Sequence, residues 1–105
     1  MKYGIFSDVH SNTEALDAVL SFFEKEGVRE YLCVGDIVGY GAEPRGCIEK
    51  IRALGGKGVG GNHDWASAGT ISLNAFNPYA EAAILWTRGV LREGDVDFLK
   101  SLRSV

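Results

Sequence analysis

The sequence predicts an α/β fold, a short and mostly parallel sheet with flanking helices. Three observations predict it. Strand-like runs at about Lys2–Ser7, Glu30–Val34 and Lys57–Val59 alternate with segments of helical periodicity. Each run breaks off into small or ligand-bearing residues: Asp8-Val9-His10-Ser11-Asn12, then Gly35-Asp36, then Gly60-Gly61-Asn62-His63-Asp64. The steps from Asp8 to Asp36 and from Asp36 to Asn62 are 28 and 26 positions, each about the length of one strand–helix–strand unit.

The first run is nearly continuous in apolar residues, which predicts a strand covered on both faces. Ser11 and Glu14 stand in capping-box spacing and predict a helix that reaches about Glu26, where Gly27 stops it. Leu16, Val19, Leu20 and Phe23 give that helix one apolar stripe. After the second strand, a loop containing Gly39 and Gly41 leads to Pro44, which suits a first helical position. Cys47, Ile48, Ile51 and Leu54 make the next stripe, closed by Gly55-Gly56. The third strand is short and diluted by glycine. Trp65 to Asn74 reads as a helical turn plus a loop. Asn77-Pro78 then starts a helix, with Tyr79, Ala82, Ala83, Trp86 and Val90 as its apolar face to about Leu91. Gly94-Asp95 breaks the chain and caps a last short helix carrying Phe98, Leu99 and Leu102.

Composition narrows the class. The 105 residues make at most one ordinary domain, with 46% hydrophobic and 24% charged residues, as in a globular protein. A net charge of -3 and eleven scattered basic residues leave no basic stripe, so nucleic acid is expected only as a substrate. Cys33 and Cys47 lie on apolar faces outside any C-x-x-C pattern and read as core thiols. With one lysine and an apolar run of only a few residues, the N-terminus reads as neither a signal peptide nor a membrane span, and the expectation is a cytoplasmic domain without a membrane partner.

In a parallel sheet with right-handed crossovers, the C-terminal ends of all strands point to one edge. Asp8, His10, Asp36, Asn62 and His63 are therefore expected along one rim. Carboxylate, imidazole and amide oxygen suit Mn, Fe, Zn or Mg better than a soft metal. Ser11, Asn12, Tyr40 and Gly41 stand at the substrate edge of that rim, where ordinary loop and cap chemistry also accounts for them.

Ser7-Asp8-Val9-His10, Gly35-Asp36 and Gly61-Asn62-His63-Asp64, in this order, resemble the first three motifs of the calcineurin-like metallophosphoesterases. The run from Gly35 to Gly41 and the Phe76-Asn77-Pro78 segment with its Trp86-Thr87 helix resemble a bacterial and archaeal branch of small phosphoesterases. The resemblance implies a hydrolase of phosphate mono- or diesters that uses two divalent ions. It implies that Asp8 and His10 hold the first ion, that Asp36 bridges both, and that Asn62 binds the second. His63 matches the residue that contacts the scissile phosphate and protonates the leaving oxygen, with Asp64 keeping its imidazole oriented and charged. The implied fold is half of the family's β-sandwich.

Two departures from the family pattern bear on function. Many relatives carry Asp and Arg where this chain has Gly39 and Tyr40. The family's later half also supplies further histidines to both ions, whereas this chain has only His10 and His63 and ends at Val105. By the family pattern the first ion lacks one protein ligand here and the second lacks two. Residues 1–105 are accordingly expected to form a single metallophosphoesterase-like domain, truncated at the C-terminus, with an open sheet that a second copy covers. The alternative is a non-catalytic metal-binding remnant that acts through assembly.

Overall fold

The computed structural model describes residues 2–55 and 57–104. Gly56, expected to help close the second helix, lies outside them. The element order is β1 (Tyr3–Phe6), α1 (Thr13–Lys25), β2 (Glu30–Cys33), α2 (Pro44–Ala53), β3 (Lys57–Gly58), α3 (Asn62–Ser67), α4 (Pro78–Val90) and α5 (Glu93–Ser101). The three strands form one parallel sheet in the order β1-β2-β3, with Tyr3 beside Glu30, Phe6 beside Cys33 and Cys33 beside Gly58. The predicted fold class is the observed one.

The sheet is covered on one face and open on the other. Phe23 of α1 packs so tightly over β1 that a Cβ on Gly4 would sit 2.8 Å from its ring. Phe23 also meets Phe6 and Tyr31, which share that face with Gly4. Opposite them Tyr3, Ile5 and Leu32 are exposed. The apolar run therefore does not mark a strand buried on both sides, because Tyr3 and Ile5 on its second face stay exposed. Beyond β3 the chain returns after α5. Val59 bridges Arg103 in parallel, and the Gly60 N–H donates to the Arg103 carbonyl. That one-residue pairing occupies the β3 edge.

One core joins Cys33 of the sheet to Leu16, to Cys47, Ile48 and Ile51 of α2, and to Leu99 and Leu102 at the end of the chain. Helix α2 packs on α1 and α5, and α3 packs on α4 and α5. Three of the four α2 stripe residues are buried, since Pro44 starts the helix at its first position and 47, 48 and 51 then face inward, while Leu54 at the C-cap is half-buried. Asp95 lies between Arg45 (3.5 Å) and Arg52 (4.0 Å), tying α5 to α2.

Three local expectations are corrected. The cap of α1 is Asn12, whose side chain accepts from the Ala15 N–H at 3.0 Å. Ser11 sits in the left-handed region (φ 61°) and cannot provide the extended backbone that an N-cap needs. Asp95 is the third residue of α5 rather than its cap, and its carboxylate accepts from the Arg92 N–H at 2.9 Å. Helix α4 begins as predicted, with the Asn77 side chain accepting from Ala80 N–H. It buries a different face, though. Ala80, Ile84 and Thr87 point inward, while Tyr79 and Trp86 are exposed. Thr87 is tolerated inside because its hydroxyl donates to the Ala83 carbonyl one turn back.

Candidate metal centre

The strand endings meet because hydrogen bonding continues past the strands into the loops. Val34 N–H donates to Phe6 O, Asp8 N–H to Gly35 O, His10 N–H to Asp36 O and Ser11 N–H to Ile37 O. Zipping two irregular segments together this way bends the chain sharply. Among the described residues, Asp8, His10, Ser11, Asp36 and Tyr40 are non-glycine residues in the left-handed region. Each costs about 1–2 kcal/mol against ordinary backbone. Such strain persists only where surrounding structure over-determines it, and here it aims three side chains at one point.

That point is a triad. One ligand atom from each of Asp8, His10 and Asp36 lies within 4.8 Å of the others. His10 Nε2 is 3.4 Å from Asp8 Oδ1 and 4.0 Å from Asp36 Oδ2. His10 Nδ1 lies 3.1 Å from the Val38 carbonyl oxygen. A donated Nδ1–H there leaves the Nε2 lone pair free toward the carboxylates, an arrangement that orients a metal-binding imidazole. The donor set of two carboxylates and one imidazole fits a divalent ion such as Mn, Fe, Zn or Mg.

Asp36 is held from the third strand's ending. Its Oδ1 accepts from the His63 backbone N–H at 3.1 Å. Gly61 approaches so closely that an added Cβ would sit 2.2 Å from that oxygen. Asn62 stands between these two residues at the first turn of α3, with its side chain exposed. All five rim residues expected from the strand spacing are therefore at one edge.

His63 and Asp64 face different ways. The His63 ring is largely buried against His10, Tyr40 and Phe76, at centroid distances of 4.9, 4.8 and 5.3 Å. Its Nδ1 has no hydrogen-bond partner among the described residues. Burial lowers its pKa from the ordinary value, with Asp36 acting in the opposite sense and His10 reinforcing the fall. The expectation that Asp64 orients this imidazole and keeps it charged is corrected. The Asp64 carboxylate is fully buried and accepts from the N–H groups of Ile37 (2.8 Å), Val38 (3.1 Å) and Gly61 (3.0 Å). Desolvation raises it to about 6, against the pull of those three donors. Asp64 thus clamps the loop after β2 to the start of α3. The same clamp places Val38, whose carbonyl faces His10. Val38 escaped sequence reasoning because a backbone carbonyl carries no residue signature.

A family model described as calcineurin-like phosphoesterase matches residues 1–103. The chain belongs to the calcineurin-like phosphoesterases. It is 49% identical over 98 residues to an uncharacterised protein of Methanocaldococcus jannaschii, covering 93% of this chain and 40% of that one. A metallophosphoesterase crystal structure from Sphaerobacter thermophilus superposes with a TM-score of 0.79 at 47% identity, over 97% of this chain and 41% of the other. A putative diadenosine tetraphosphatase shares the fold, with a TM-score of 0.72 at 22% identity, over 95% of this chain and 42% of the other. The chain spans about two fifths of the length of the relatives it matches. No helix among the described residues is long and apolar enough to cross a membrane.

Proposed function

We propose that this chain carries the metal-holding half of a phosphate mono- or diesterase and hydrolyses such esters with the ions it retains. The observation that carries this reading is the convergence of Asp8, His10 and Asp36 within ligand distance, with Asn62 and His63 on the same rim. Asp8 and His10 would hold one ion, Asp36 would be shared, and Asn62 would serve a second. Bound divalent ions supply Lewis-acid polarisation of the phosphoryl group and an acidified water for attack.

The protein's own groups do the rest. Val38 fixes the His10 ring, and Gly61 with the His63 N–H fixes the Asp36 carboxylate. His63 contacts the scissile phosphate and protonates the leaving oxygen through Nε2, since its Nδ1 is buried against the Gly39 backbone. Asp64 is a positioning residue that holds both loops in register. A reduced, cytoplasmic setting fits two buried free thiols.

The test is metal content together with hydrolysis of aryl phosphate mono- and diesters with added Mn, on this chain and on Asp36→Asn. Bound metal and turnover in the native chain, both lost in the variant, support the reading. A folded native chain with neither would sink it.

That second outcome favours a non-catalytic remnant acting through assembly, and one observation supports this reading. Tyr3 and Ile5 of β1 are 64% and 62% exposed on the uncovered sheet face, with Leu32 beside them. A second copy would cover that face. Sedimentation as a monomer without apolar-dye binding would count against it.

A further inference from the structure

A cleft of about 720 Å³ opens beside the triad, between the Asp8–Asn12 turn and the loop from Tyr40 to Glu43. Asp8 and His10 line it. Phe6, Leu16 and Val19 make another part of its wall apolar. Tyr40 stands on the rim with 54% of its surface open. Its ring meets His10 nearly edge-on at 5.1 Å and lies 4.8 Å from His63 at a tilt of 44°.

The backbone around Tyr40 is built for that position. A Cβ on Gly39 would lie 2.4 Å from His63 Nδ1, and one on Gly41 would lie 2.3 Å from the His10 carbonyl oxygen. The tripeptide threads between two histidines where only glycine fits on either side. Tyr40 itself is held at φ 59°, in the left-handed region that side chains avoid. It takes no part in the core cluster. Packing therefore does not account for a strained, half-open aromatic ring placed against both imidazoles.

We propose that Tyr40 is a specificity-determining residue. With the apolar wall of the cleft, it receives an uncharged leaving group that carries a flat aromatic ring, while the phosphoryl group sits at the triad. Aromatic pairs favour offset or edge-to-face contact, and an apolar wall buries the remainder of such a ring. Glu14 and Glu43 also line the cleft and disfavour a leaving group with negative charge of its own. The inference rests on the phosphoesterase reading and adds a substrate class to it.

Binding separates the two. Zinc affinity is measured first, then the affinities of the zinc-loaded chain for phenylphosphonate and methylphosphonate by calorimetry. The aryl compound is expected to bind about tenfold more tightly. That ratio falls to near one in Tyr40→Leu and is kept in Tyr40→Phe. In the native chain, the Tyr40 ring protons shift upfield with phenylphosphonate and stay in place with methylphosphonate. This second readout decides the matter should the leucine variant not fold. Equal affinities, an unchanged ratio in Tyr40→Leu, or a silent Tyr40 ring would overturn the inference while zinc and phosphonate binding leave the phosphoesterase reading standing. A chain that binds no zinc overturns both.

Discussion

His10 Nδ1 faces the Val38 carbonyl oxygen at 3.1 Å, so a main-chain atom from the loop after β2 sets the ring of a candidate ligand that follows β1. The other ring nitrogen is then the one turned toward Asp8 and Asp36. Nitrogen-15 NMR should show His10 as the Nδ1–H tautomer, and zinc should move its Nε2 resonance while Nδ1 stays protonated. With two histidines in the chain, a His63→Asn variant assigns the signals. An Nε2–H tautomer that zinc leaves unshifted would contradict the geometry.

Asp64 satisfies three buried backbone donors at once. Asp64→Ala leaves them without an acceptor and should cost about 3 kcal/mol or more. Asp64→Asn retains one acceptor oxygen and should cost less. Urea unfolding of the metal-free chain measures both, and equal losses would show that the carboxylate's bonds are not what holds the two loops together.

The inward face of α4 makes a sharp contrast between neighbours. Ile84 is fully buried and Trp86 is half exposed. Ile84→Ala should destabilise by about 2–4 kcal/mol, a typical cost for emptying a core site. Trp86→Ala should stay within about 1 kcal/mol. Denaturant midpoints that reversed this order would place the other face of the helix inside.

Burial raises both thiols, Cys33 and Cys47, from the ordinary 9.0 to about 11. The folded state thus favours the neutral thiol. The resulting stability is fully present below pH 9 and is lost as pH rises from 9 through about 11. Unfolding free energies measured across that window should fall more steeply in the native chain than in a Cys33→Ala, Cys47→Ala double variant. Both thiols should also react slowly with iodoacetamide at pH 8 until the chain is unfolded.

Much of the site is legible in the residue order. Gly-Asp, Asp-x-His and Asn-His-Asp, each after an apolar run, announce candidate ligands at strand ends, and 28- and 26-residue steps bring those ends to one edge. The cap of α1 is not settled by residue type. Ser11 and Asn12 are both good capping types, and only the left-handed turn at Ser11 passes the role to Asn12. Helix α4 carries apolar residues on more than one face, so periodicity points to the Tyr79–Trp86 face although the chain buries Ala80, Ile84 and Thr87. Contact with α3 chose the buried face.

By itself, the sequence determined which chemistry gathers and on which edge, because parallel crossovers send every strand's C-terminal end the same way. Tertiary structure alone decided how the gathered groups are held. Asp64 turned from His63 to three main-chain donors, Val38 lent a carbonyl to His10, and Tyr40 was strained onto the rim of the cleft. Backbone N–H and C=O groups are the same in every residue but proline. Partnerships between segments 26 to 28 positions apart therefore leave no mark on the residue types, and only the folded chain reveals them.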